Sequence, residues 1–242
     1  MSPTTGRLRL PTLAAIILLL CSSGCKKNSS TEPIIEPDPS YTPLNVGDIQ
    51  QLVNLADSLT FFREIIGTAK RTDGTGVFHM VDWWGVDTLH SYWFVRDGFL
   101  IATDLDTLSN YQRDPKNPFR EQRLARSYPQ QGESWKTSPG THDTDIFFAD
   151  YRSAVKTECG IFARVCAFVL QPRFAGDTLC MIPHYAPGVG YIGTDLNNDH
   201  LLDVSVAYSK VGGREYGKPW PVKWPKNGLQ NMKSIHRIIG LQ

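Results

Sequence analysis

Asp195, Asn197, Asp199 and Asp203 set oxygen-bearing side chains at positions 1, 3, 5 and 9 of the run Asp195-Leu196-Asn197-Asn198-Asp199-His200-Leu201-Leu202-Asp203. In a tight loop that spacing turns carboxylates and an amide toward one hard cation, and the residue at position 7, Leu201, offers its backbone carbonyl. Calcium is the ion such an oxygen set predicts. Two positions depart from an EF-hand: His200 stands where Gly normally permits the sharp turn, and Val206 stands at position 12, where a bidentate Glu belongs. The same residues suit a plain polar turn joining strands at 191–194 and 204–208, because Asn and Asp bond to their own backbone. Calcium loop and polar turn are both compatible with the sequence.

Other groups capable of chemistry are scattered. If 162–170 and 178–183 form a hairpin, Cys166 and Cys180 fall almost opposite, and a disulfide closing that short loop would contribute ~3 kcal/mol. The competing reading makes Cys159, Cys166 and Cys180 small buried hydrophobes. No Cys-x-x-Cys pair occurs, which removes the usual zinc and thioredoxin-like geometries. Six histidines are present (His79, His90, His142, His184, His200 and His236), without a Gly-x-Ser-x-Gly elbow or a His-Glu-x-x-His helix. A hydrolase would therefore have to assemble its site from distant loops. Adjacent Trp83 and Trp84 must point to opposite faces of a strand. With Trp93 they either fill a β core or offer rings to a sugar or an apolar ligand.

Arg7 and Arg9 followed by the apolar run Leu13 to Leu20 read as a signal peptide, residues 1–24, too short to span a bilayer. Ser23-Gly24-Cys25 resembles the bacterial lipobox, with Ser22 where that motif carries Leu, Val or Ile. The resemblance implies a diacylglyceryl group on Cys25 and a stable anchor, since each buried methylene contributes about 0.8 kcal/mol. An ordinary secretory cut at the same place also satisfies the small-x-small rule.

Residues 25–43 are poor in large apolar side chains and carry Pro33, Pro37, Pro39 and Pro43, as a flexible, extended tether requires. From Leu44 to the end, 44–242, β-branched and aromatic runs alternate with turn signals, which predicts one mainly β domain. The expected form is a curved antiparallel sheet or incomplete β-barrel. Strands are expected at 58–70, 77–84, 91–96, 99–104, 146–156, 161–170 and 177–183, with loops at 110–118 and 127–144. A short C-terminal helix over 229–239 is the most helix the pattern allows. Asp73-Gly74 and Asp97-Gly98 are hairpin turns by type. Balanced charge, 25 basic against 24 acidic residues, offers no field for nucleic acid. Locally, Lys218, Lys223, Lys226, Lys233 and Arg237 with Trp220 and Trp224 form a basic tail that suits either anionic headgroups or a sheet edge.

Four ordered landmarks are similar to those of a group of secreted β-sheet lipoproteins from the Bacteroidetes and Chlorobi lineages. They are Pro43-Leu44-Asn45-Val46-Gly47, Gly132-Glu133-Ser134-Trp135 after Pro129, Cys159-Gly160-Ile161-Phe162, and Tyr185-Ala186-Pro187-Gly188-Val189-Gly190. The resemblance implies a curved antiparallel sheet and a lipoprotein, and it brings no activity with it. The Asp195 to Asp203 run likewise resembles the DxNxDxxxD loops of FG-GAP and other calcium-binding repeats. Together these features lead to an expectation: a lipid-anchored protein of the cell envelope, at the outer membrane, whose β domain binds an envelope protein or a small apolar ligand without catalysis. A calcium-stabilised module of a surface assembly and a hydrolase are the alternatives.

Overall fold

Along residues 60–66, Phe61, Arg63 and Ile65 are buried while Phe62, Glu64 and Ile66 are not, the period of two that a strand imposes on one buried face. In the computed structural model, residues 39–85, 87–106, 116–138, 146–171 and 181–223 are described. All belong to the unit 38–242, which is distinct from 1–37. Those residues form thirteen strands: β1 Ile49–Asn54, β2 Thr60–Lys70, β3 Gly76–Trp84, β4 Asp87–Arg96, β5 Phe99–Thr103, β6 Gln122–Arg126, β7 Ser134–Lys136, β8 Ile146–Thr157, β9 Gly160–Gln171, β10 Ile182–Ala186, β11 Gly190–Asp195, β12 Val204–Val211 and β13 Arg214–Gly217.

Pairing runs β6-β5-β4-β3-β2-β1-β12-β11-β10-β9-β8-β7, every contact antiparallel, with β13 added to β12. Because β1 meets β12, the up-and-down order curls round until only the seam between β6 and β7 is left. There the Arg123 N–H donates to the Thr137 carbonyl at 2.6 Å, and Arg126 meets Glu133 at 2.8 Å. Trp135 of β7 crosses the same seam, packing on Phe99 of β5 as well as on Phe147 and Phe168. The result is the expected mainly β fold in its more complete form, a twelve-stranded sheet nearly closed into a barrel. Closure matters because an open edge would expose unpaired backbone groups.

The interior is filled by Leu52, Phe61, Trp84, Trp93, Phe168, Ile192 and Val206, among others. A smaller cluster of Val77, Phe94 and Ile101 lies apart from it. Arg71 joins residues 116–121 to this cluster, stacking on Phe119 at 4.0 Å and donating to Thr103 and Glu121. Asp97 and Gly98, with φ of 52° and 72°, make the predicted tight turn between β4 and β5.

Four strands, β1, β6, β7 and β13, lay outside the sequence expectation. β1 carries Gln50 and Gln51, polar yet buried, because each amide finds a backbone partner: Gln50 donates to Tyr191 O at 2.9 Å and Gln51 to Trp220 O at 2.9 Å. β6 carries two arginines in five residues, and β7 is a three-residue piece inside what reads as a loop. Packed chain also begins earlier than Leu44, since Tyr41 and Thr42 are already buried. The helix expected over 229–239, Cys25 and Cys180 all lie outside the described residues.

Candidate functional site

The run from Asp195 to Asp203 joins β11 to β12 as the turn reading requires, with Gly193 opposite Ser205 and Thr194 opposite Val204. Its carboxylates hold the backbone of the turn. Asp195 accepts the N–H groups of Asn197 and Asn198 on one oxygen, at 3.0 and 2.7 Å, and that of His200 on the other, at 2.9 Å. Asp203 accepts Leu196 N–H and the Asn197 amide, and Asp199 accepts Leu201 N–H. Asn198 and His200 take positive φ of 56° and 70°, so His200 adopts the backbone shape expected of the Gly it replaces. Asp195, Asn197, Asp199, Leu201 and Asp203 thus share one turn whose oxygens already serve its own amides.

Inside the barrel, Arg63 of β2 and Asp82 of β3 stand opposite each other and form a two-pronged pair, Nε to Oδ1 at 2.8 Å and a terminal nitrogen to Oδ2 at 3.0 Å. Burial works against the Arg63 charge, but the Asp82 carboxylate beside it holds its pKa above the ordinary arginine value. The guanidinium lies 5.0 Å from the Trp93 ring and 5.4 Å from Tyr191. Next to it is a cavity of about 40 Å³, bounded by Thr42, Leu44, Met80, Trp93, Tyr185 and Tyr191. That volume suits water rather than a ligand. Trp84 and Trp93 belong to this core, whereas Trp83 faces the other way and stacks on Phe62 at 4.5 Å.

Two of the four landmark segments, those beginning at Pro43 and at Tyr185, meet along Pro39 to Leu44, and Ser127, shortly before a third, joins them. Gly188 N–H donates to Ser40 O, and Tyr41 N–H donates to Ser127 O. Side chains at Gly188 and Gly190 would press on Pro39 and Pro43 at 3.3 and 3.4 Å, and both glycines have positive φ, which explains the Gly-x-Gly spacing. The Tyr41 hydroxyl donates to Arg164 O at 2.5 Å, and the Tyr151 hydroxyl donates to Pro129 O at 2.5 Å. These anchored rings border a groove of about 350 Å³ with Tyr128, Pro129, Arg152, Ser153, Arg164 and Pro187. Tyr128 is 61% exposed and Tyr151 38%. The remaining landmark, at Cys159, is the β8–β9 turn docked on β12, where Cys159 N–H donates to Val206 O at 3.1 Å.

Cys159 and Cys166 are free thiols, and burial pushes the Cys166 thiol up to about 12. Across β9 and β10, Cys166 stands opposite Tyr185. His184 is buried, its Nδ1 bonded to Ile182 O at 2.8 Å. His79 and His90 bond to each other on the wall formed by β3 and β4. The described part of the basic tail lies along the barrel: Trp220 exchanges two hydrogen bonds with the Gln51 amide, and Lys223 accepts the Thr60 N–H on its carbonyl and donates its own N–H to Thr60 Oγ1. The sequence does not bring together the tyrosine groove, which joins segments distant in the chain, whereas the register of 77–84 against 88–95 is the signal that pairs the histidines.

No family model matches the chain, and no curated protein matches it. A solved structure of a presumed lipoprotein from Parabacteroides distasonis aligns with a TM-score of 0.38 and 8% identity, covering 71% of this chain and 97% of its own. At that level of similarity, no activity transfers from one chain to the other.

Proposed function

We propose that this chain is a lipid-anchored cell-envelope protein whose barrel is a non-enzymatic module for binding an envelope protein or a small apolar ligand. Support for the anchor comes from the apolar run ending in Ser23-Gly24-Cys25 and the Pro-rich stretch that follows. The observation that carries the binding role is the outward groove of about 350 Å³, where tyrosine rings are fixed by their own hydroxyls beside two arginines. Fixed aromatic rings lose little entropy on binding and suit recognition. The cavity beside Arg63 has room for water only, and the outward groove is the roomier of the two.

The anchor is tested by labelled palmitate in cells: incorporation into the wild type and release of Cys25→Ala from the membrane pellet are expected. Retention of the unlabelled variant would refute it. For the groove, Tyr128→Ala should abolish hits from a fragment and glycan binding screen that the wild type retains, and identical hits would refute the assignment.

A second reading, a calcium-stabilised module, is favoured by one feature: Asp195 draws three backbone N–H groups inward and holds His200 at φ 70°, shaping the turn as a calcium loop is shaped. Thermal melts in millimolar calcium and in chelator decide it. A higher Tm with calcium supports the reading, and coincident melts remove it.

A further inference from the structure

We propose that His79 and His90 form a two-imidazole chelate for a divalent transition-metal ion on the outer wall of the barrel, with Cu²⁺ the preferred ion. The two residues sit on neighbouring strands, His79 opposite Tyr92 and His90 opposite Val81, so they are diagonal neighbours in a fixed register. His79 Nε2 and His90 Nδ1 face each other at 2.8 Å. Two nitrogens bound at about 2.0 Å and at right angles to each other lie ~2.8 Å apart, whereas a tetrahedral pair lies ~3.3 Å apart. The present spacing is set by the hydrogen bond between the rings, and both imidazoles must turn their lone pairs toward a shared ion. The choice of ion rests on the affinity order for nitrogen ligands, in which Cu²⁺ stands highest.

One ring now donates its N–H to the other. On metal binding that hydrogen moves to the far nitrogen of the same imidazole, so both facing nitrogens present lone pairs and each ring stays neutral. The Tyr92 ring lies 4.9 Å from His79, tilted by 31°, and limits its rotation. Such support lowers the ordering cost of the site. Among the described residues no third His, Cys, Asp or Glu joins the pair. The chain thus supplies two ligands, and His90 also borders a cleft of about 290 Å³ with Tyr92, Thr103, Asp104 and Arg120. Water or a small ligand has access to the remaining coordination positions from that side.

The site is tested by titrating Cu²⁺ into the purified protein at neutral pH and recording electron paramagnetic resonance spectra. Coupling to two imidazole nitrogens is expected for the wild type, with Zn²⁺ binding more weakly. His79→Ala and His90→Ala, each verified as folded by circular dichroism, should weaken Cu²⁺ at least about tenfold and leave one coupled nitrogen. Copper bound with unchanged affinity and spectrum in the variants would place it elsewhere and overturn the proposal. A wild-type spectrum without two-imidazole coupling would overturn it equally, and tighter Zn²⁺ than Cu²⁺ binding would overturn the choice of ion.

Discussion

Asp82 and His79 lie three residues apart on β3, yet one faces the core and the other the outer wall, and their pairs behave differently. The Arg63–Asp82 pair is sealed, with both prongs satisfied and aromatic rings around the guanidinium. Across the sheet, His79 and His90 share a single hydrogen bond at a solvent-facing position. Desolvation explains the contrast. A buried charge that loses its partner has only the water-sized cavity beside it in place of bulk solvent, so the inner pair is fixed and serves the fold. On the outer wall water can stand in for either imidazole, so the partner is exchangeable and an ion can take its place.

The contrast is broken most directly at Asp82. Asp82→Ala should strand the Arg63 charge and cost about 3–5 kcal/mol, read as a lower urea midpoint. Replacing both partners together, Arg63→Met with Asp82→Leu, should recover most of that loss. A double variant as unstable as the single one would show that the pair stabilises by more than mutual neutralisation. Tyr41→Phe removes the hydroxyl bond to Arg164 O and should cost roughly 1 kcal/mol in the same assay, with the barrel otherwise intact.

A smaller effect is expected at His184. Burial lowers its pKa, and the Ile182 carbonyl offsets that only in part. The folded state therefore keeps His184 neutral at pH values where the unfolded chain takes up a proton. Its contribution is complete above the unfolded value of about 6.5 and is lost as pH falls through the lower folded value. His184→Gln should flatten the dependence of the urea midpoint on pH in that window, and an unchanged slope would assign the acid sensitivity to other groups. Least of all should change on the outer wall: His79→Ala is expected to alter stability by no more than ~0.5 kcal/mol, while removing any metal-induced rise in Tm.

Much of the fold was legible where side chain and backbone agree. Period-two burial in 60–66, the Asp97-Gly98 turn and the opposed faces of Trp83 and Trp84 all follow from local rules. The polar β1 was not legible, because Gln50 and Gln51 become acceptable as buried residues only when Tyr191 O and Trp220 O arrive from more than a hundred residues away. The tyrosine groove was hidden for the same reason, being assembled from the segments at 41, 128–129, 151–153, 164 and 187. By contrast, the polar turn at Asp195 was visible, since its side-chain hydrogen bonds stay within nine residues, and only Leu55 N–H, donating to Asp203 O, reaches it from afar.

By itself the sequence determined the β character, the tight turns and the oxygen-rich link between β11 and β12, because these depend on φ preferences and hydrogen bonds between near neighbours. Tertiary structure alone decided that β1 meets β12 and the sheet curls toward closure, and that Arg63 finds Asp82. Register sets those distances, and register is fixed by the packing of the whole inner face rather than by any one strand.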